Sequence, residues 1–524
     1  MIPLSASLSV FWLTAVLGVA PRSAFAAGDS PGRGGAKLYA AAGKVDITPD
    51  LERETIWLAG YGAAGRRARG IHDPLYARAL VVSDGRKSVA LVGVDSIGLF
   101  REDVLAIRRA IGWDEGSGYV FIAATHDHSA PDTLGLWGRF PGVSGVDRRY
   151  RRRMLDSIAH LVKDLTESLQ EAELEAAGGP IDPAGLSRDA RDPVVIDPEL
   201  QTARFLRRDP AAGRARAVLH SRSPWRHNGA RGRARVIATL VRWSCHSEVL
   251  GRDNLLVTAD YPGELCREIE GRTGGACLFL NGAIGGLLTP DVDELGAGAK
   301  GFEEAKRIGQ AVARRALAML HHDGARVNGG PVRFDSRVVR VPVENSRYLL
   351  FLNSLVFGHR LLTEDGVPLP FWKRWWLPIR HLAVFPLPAS LHPWVETEVS
   401  RVRFGPVDIL GVPGELFPEL AIGGYDGRYR FGHPLVRPTN SQPPDLSRAP
   451  RSPYLRERMR SKYGMVVGLA NDELGYIIPS YDFIATPTRS MLPKPKGHHY
   501  EETNSIGPSA TAILLKAYEE LLKR

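Results

Sequence analysis

Cysteine is scarce. Cys245, Cys266 and Cys277 are the only three in 524 residues, too few for a disulfide-built scaffold and enough for one bridge at most. No internal repeat is visible and no Gly/Ser linker halves the chain, which excludes a solenoid or a string of flexibly joined modules. No nucleic-acid motif accompanies the formal charge of +10. What remains is a chain with 44% hydrophobic and 24% charged residues, an ordinary globular balance that supports a substantial core.

The first residues carry an apolar segment from about Leu4 to Ala20, then Pro21 and a small-residue cleavage site at Ala24-Phe25-Ala26. This reads as an export signal over 1–26, followed by a flexible lead-in over 27–37. No positive charge precedes the apolar run, so an uncleaved anchor is the other reading. The expected location is periplasmic, secreted or at a membrane surface. Much of the charge sits in the arginine clusters "GRRARG" (65–70), "RRYRRRM" (148–154) and "RGRARV" (231–236), which either attract anionic lipid or polyanions or fill solvated faces.

Short apolar runs at 77–83, 88–94, 119–124, 236–244, 277–280, 407–412 and 465–470 have the length and texture of buried strands. Helical patterns alternate with them. One carries Met154, Ile158, Leu161, Leu165 and Leu169 at helical spacing, with Asp147 placed to cap it; another spans 302–320. Strands and helices mixed over the whole length predict one large α/β domain, 38–524. The stretch 347–395 breaks this texture. Trp372, Trp375, Trp376 and Trp394 mingle there with Lys373, Arg374 and Arg380, a composition suited to a membrane interface or to a lid or buried insertion. Its apolar runs are too short and proline-broken to cross a bilayer.

Chemistry is concentrated at "FIAATHDHSAPD", where an apolar strand runs into His126 and His128. If the strand continues through them, both imidazoles project from one face. The runs 88–94 and 119–124 with a helix between them form a βαβ-like unit, whose carboxyl ends open on a ligand-binding crevice. Polar residues also follow other apolar runs: His246, Asn281, Glu415, Asn471 and Tyr476. Two histidines from separate strands plus a carboxylate make a first shell for zinc with an open position for water.

The same residues resemble the neutral, non-lysosomal ceramidases. "AATHDHSAPD" is similar to that family's "ATHTHSGP", "HDPLYARALVV" to "HTRLYARAF", and "ARDPVVIDPE" to "NRSPxxYLxNP". "VRWSCHSEVL" resembles "FAVHGTSM", "GVPGELFPELAIGG" resembles "xPxEFTTxAG", "GLANDELGYI" resembles "GLANxYxGYV", and "HHYEETNSIGP" resembles "QRYEGASTxxGP". The elements follow the family order from about Lys44 to Pro508. The resemblance implies a mixed α/β catalytic domain that hydrolyses the amide of ceramide. It implies Zn2+ held by His126, His246, Glu415 and Tyr476, with His128 as a non-ligand active-site residue and Arg191 and Tyr500 lining the amide site. Hydrolysis of another amide or ester, or a silent lipid-binding role, are the alternatives.

Three departures stand out. "NGAIGGLLTPD" replaces "NxGDVSPN", so the aspartate is lost and Thr289 stands where the family has a serine near the amide. "HSEVL" replaces "HGTSM" beside a ligand. The chain stops after "AILLKAYEELLKR", where the family continues into a β-sandwich domain, leaving 347–395 as the expected contact with a membrane that holds the lipid substrate.

Overall fold

The computed structural model describes residues 37–62, 64–208, 236–292, 299–327, 330–345, 358–370, 392–484, 499 and 501–523. The signal segment, most of 347–395 and Tyr500 lie outside them.

Valine, leucine and alanine alternate along Tyr76–Ser83 and Ser88–Val94, so each strand buries both faces. They are interior strands near one edge of a mixed sheet whose strands run, edge to edge, Ala276–Asn281, Val236–Trp243, Glu199–Arg207, Gln170–Pro180, Leu38–Asp46, Tyr76–Ser83, Ser88–Val94 and Gly118–Ala124, with Ala325–Val327 joined to Gln170–Pro180. Ser88–Val94 and Gly118–Ala124 pair in parallel through the helix Arg101–Ile111, as the βαβ pattern predicts. The sheet curls so far that its two ends meet. A Cβ on Gly93 would lie 2.8 Å from the carbonyl of Phe279 on the far strand, which is why glycine stands there.

One face of this sheet packs on a second sheet of four strands, Val332–Pro342, Trp394–Phe404, Val407–Gly411 and Tyr463–Val467. Leu91, Phe121 and Leu240 from the first meet Val402, Ile409 and Met465 from the second in one dry layer. Truncating such a side chain to alanine costs about 2–5 kcal/mol. The opposite face is covered by helices Arg148–Glu167, Asp260–Thr273 and Ala299–His322, while Ser509–Leu522 covers the outside of the second sheet. The result is four layers, helix, sheet, sheet and helix.

Local signals held well. The carboxylate of Asp147 accepts hydrogen bonds from the backbone N–H of Arg149 and Tyr150 at 2.9 and 3.0 Å and starts the long helix, whose buried face is Met154, Ile158, Val162 and Leu165. All three cysteines are free and buried, so the one possible bridge does not form. Among the described residues no helix is long and apolar enough to cross a membrane.

Candidate metal centre at the strand ends

The strand expected to carry both histidines ends at Ala124. His126 turns the chain with φ of 61°, a left-handed conformation that costs a non-glycine residue about 1–3 kcal/mol and concentrates at functional sites. The one-face arrangement is thus corrected. His126 and His128 meet by this turn, with ring centroids 4.9 Å apart and planes at 74°.

Closure of the sheet brings the loop after Trp243 against this turn. The N–H of His128 donates to the carbonyl of Ser247 at 3.0 Å, and the hydroxyl of Ser247 donates to the carbonyl of Thr125 at 2.7 Å. The buried amide of Asn281 ties both loops, donating to the carbonyls of Thr125 at 3.1 Å and Cys245 at 2.8 Å. The third element is the short strand Glu415–Leu416, which pairs in parallel with Tyr476–Ile477 and sets Tyr476 beside Glu415. Tyr476 is buried, its ring edge-on to Phe417.

The result is a shared point. Nδ1 of His126 faces the carbonyl of Ile97 at 2.8 Å, and Nδ1 of His246 faces that of Leu288 at 2.9 Å. Each carbonyl fixes the tautomer with the proton on Nδ1 and leaves a lone pair on Nε2. Both Nε2 atoms point at one carboxylate oxygen, Oε2 of Glu415, at 3.0 Å from His246 and 3.4 Å from His126. Lone pairs facing an anion repel, so this arrangement calls for a cation between them. Ligand atoms about 2.0–2.1 Å from a tetrahedral zinc sit roughly 3.3 Å from one another, which is the spacing seen. The imidazole nitrogens of His126, His128 and His246 also lie within 4.8 Å of one another, and both ring nitrogens of His128 are buried without a hydrogen-bond partner. These residues fit a divalent ion of zinc's preferences.

When no metal lies between them, protonated imidazoles take the cation's place beside Glu415. Burial pushes the Glu415 carboxyl up, but the imidazoles of His126 and His246 outweigh it and hold the group at about 2. Burial lowers His246 while Glu415 more than offsets it, so its pKa rises. His128 is held well below its ordinary value by burial first and then by His126, His246 and Arg66, so its ring is neutral.

One wall of the site was not foreseen in its details. Oγ1 of Thr289 donates to Oε1 of Glu248 at 2.8 Å, and Oε2 of Glu248 lies 3.8 Å from Nδ1 of His128. The hydroxyl of Tyr61 donates to the carbonyl of Glu248 at 3.0 Å, and its ring meets His128 edge-on. Arg66 donates to the carbonyls of Asn254 at 2.7 Å and of His128, binding the two loops together. The sequence signals for this wall are two departures, "HSEVL", which carries Glu248, and "NGAIGGLLTPD", which carries Thr289.

Arg191, expected beside the reacting amide, is committed elsewhere. Its Nη1 donates to Glu501 at 2.9 Å and Glu502 at 3.2 Å, and its Nη2 to Asp482 at 2.8 Å and Glu502 at 2.9 Å. Both terminal nitrogens are thus engaged by carboxylates, while Nε is buried without a hydrogen-bond partner. Burial would lower the guanidinium, but these three carboxylates hold it well above its ordinary value. Glu502 is raised by burial and brought down to about 2 by Arg191 and His499. Both neighbours of Tyr500 in the chain, His499 and Glu501, contact this guanidinium.

Fold and site together define a class: a mixed α/β protein with a candidate metal centre at its strand ends. Residues 39–264, which hold all three histidines and Glu248, match the family described as neutral/alkaline non-lysosomal ceramidase, N-terminal. The match covers the N-terminal part of the chain. Its structure is similar to that of the neutral ceramidase from Pseudomonas aeruginosa, with a TM-score of 0.60 and 17% identity over 93% of this chain and 73% of that one. It is also similar to a ceramidase complexed with C2, with a TM-score of 0.58 and 17% identity over 93% of this chain and 74% of that one. No curated protein sequence matches.

Proposed function

We propose that this chain is a zinc-dependent amidohydrolase that cleaves the N-acyl amide of ceramide, or of a related N-acyl lipid, to a sphingoid base and a fatty acid. The observation that carries the reading is the single oxygen of Glu415 shared between Nε2 of His246 and Nε2 of His126. The family match over 39–264, the likeness to a neutral ceramidase and the likeness to a ceramidase complexed with C2 support the substrate class.

His126, His246 and Glu415 hold the ion, with Tyr476 as fourth ligand from the strand paired to Glu415. When bound, zinc supplies Lewis acidity that polarises a carbonyl and acidifies a water. The carbonyls of Ile97 and Leu288 keep both imidazoles in the ligating tautomer. His128, neutral and adjacent, takes a proton at Nε2 and returns it to the leaving nitrogen, with Nδ1 turned toward Glu248. Thr289 and Glu248 line the side from which the amine portion enters. Arg191 acts as a positioning residue that clamps the segment carrying Tyr500, and Tyr500 stabilises the developing oxyanion. Export through 1–26 and membrane contact through 347–395 belong to the same proposal.

Glu248, where the family has a threonine, favours a second reading in which the scaffold and metal are kept and the head group differs. Release of labelled fatty acid from an N-acylsphingosine by the purified chain with zinc, compared with release from a water-soluble N-acyl amino acid, tests both. Cleavage of only the soluble amide would overturn the ceramide reading.

A further inference from the structure

Four residues after His128 the chain enters a loop built on one buried carboxylate. Oδ1 of Asp132 accepts the backbone N–H of Leu134 at 3.0 Å and Gly135 at 2.7 Å, and Oδ2 accepts Trp137 at 2.9 Å and Gly145 at 3.1 Å. The last pair joins the two ends of the loop. Leu134, Leu136 and Trp137 anchor its stem against Ala59, Ile97 and Phe100. Beyond the stem, residues 139–144, "RFPGVS", are all exposed.

The tip is ordered by its sequence. Pro141 and Gly142 occupy the middle of a turn closed by a hydrogen bond from the N–H of Val143 to the carbonyl of Phe140 at 3.0 Å, and Gly142 has φ of 79°. Proline then glycine with positive φ is the pattern of a type II turn. It sets Phe140 and Val143 at the two ends of the turn, 58% and 49% exposed, on a stem held from within. A structural turn gains nothing from an exposed phenylalanine, and water penalises it.

Charge surrounds the tip. Arg139 lies over the Phe140 ring at 5.3 Å. Three residues past Gly145 the long helix begins with the "RRYRRRM" cluster. Arg151 and Arg153 of that cluster pair with Asp103 and Glu54, whereas Arg148, Arg149 and Arg152 are exposed and form no ion pair among the described residues. Together with Arg153 and His160 they line an open hollow of about 550 Å³, with Asp156 the acidic member of its wall. An aromatic and an aliphatic side chain on a rigid tip, followed within a few residues by exposed arginines at the start of the helix, match the layering of an anionic bilayer: acyl boundary inside, phosphate outside.

We propose that the 139–144 tip and Arg148, Arg149 and Arg152 form a preformed docking surface for a bilayer containing anionic phospholipid. Phe140 and Val143 enter the interface and the arginines meet headgroup phosphates. These residues are distinct in sequence from 347–395, and they begin within a dozen residues of the active-site histidines, so docking there sets the pocket close to a lipid substrate. The inference goes beyond the hydrolase reading, because binding needs neither zinc nor a scissile amide.

The test is sedimentation of the full chain with ceramide-free vesicles of phosphatidylcholine alone or mixed with phosphatidylglycerol. Two variants are compared, Phe140→Ser/Val143→Ser and Arg148→Glu/Arg149→Glu/Arg152→Glu. The parent should bind the anionic vesicles, release them as salt rises, and bind neutral ones weakly. Each variant should lose affinity at least about tenfold, with circular dichroism and hydrolysis of a detergent-dispersed short-chain amide unchanged. A Phe140→Trp variant should show a blue-shifted emission on anionic vesicles. Undiminished binding by either multiple variant, or no emission shift, overturns the proposal. A chain that hydrolyses nothing but binds in this manner would sink the ceramidase reading alone.

Discussion

Thr289 donates its hydroxyl hydrogen to Glu248 at 2.8 Å, and the other oxygen of that carboxylate faces His128. The pair joins two loops at positions where this chain departs from its family's pattern. Thr289→Val removes the donor at a buried position and should leave zinc content intact. Loss of one such hydrogen bond is worth about 1 kcal/mol, so KM for a short-chain N-acyl amino alcohol should change about fivefold with kcat moving less. Steady-state kinetics on the two proteins checks this. An equal fall in kcat and kcat/KM would instead place Thr289 in the transition state.

Glu415 offers one oxygen to Nε2 of both His246 and His126. Glu415→Gln is nearly isosteric and should lower zinc occupancy, measured by elemental analysis after dialysis, with activity at limiting zinc falling at least about a hundredfold. His246→Ala should do the same.

Metal removal should destabilise the chain as well as silence it. A ligand that binds only the folded state adds about 2.7 kcal/mol at a hundred times its dissociation constant. Thermal unfolding after chelation should occur at lower temperature and recover on adding zinc, with no recovery in Glu415→Gln.

Burial raises the carboxyl of Glu419 to about 8, with Asp482 adding to the shift. A raised carboxyl means that the folded chain binds the proton more tightly than the unfolded one between pH 4.5 and 8. Stability from this group is therefore full below its unfolded value and declines as pH rises through that window. Glu419→Gln should flatten the pH dependence of unfolding by denaturant, by a few kcal/mol in order of magnitude. A slope identical to the parent's would refute the assignment.

Asp132→Asn keeps one acceptor oxygen and turns an NH2 group toward two backbone donors. The stem should loosen at a cost of about 1–3 kcal/mol. Limited proteolysis should then cut within 138–145 faster than in the parent.

Much of this was legible in the chain. The runs 88–94 and 119–124 became neighbouring parallel strands, and Asp147 capped the helix its position announced, because hydrophobic period and capping act over a few residues. His126, His246 and Glu415 were nameable from their places after apolar runs and from the family pattern. What those signals lacked was the turn at His126, which the strand pattern ran straight through. They also lacked the fate of Arg191, whose partners lie about three hundred residues away. Glu248 stood out only as a departure, and its contact with Thr289 depends on how two loops cross.

By itself the sequence determined the elements, their buried faces, the family likeness and the residue types able to bind a metal, since each depends on local order along the chain. The tertiary structure alone decided that three remote side chains, those of His126, His246 and Glu415, converge, that Arg191 pairs with carboxylates, and that Phe140 stays in water. Each of these depends on which strand ends are brought together when the sheet curls shut, and on which groups are thereby desolvated, and neither is encoded in any short window of residues.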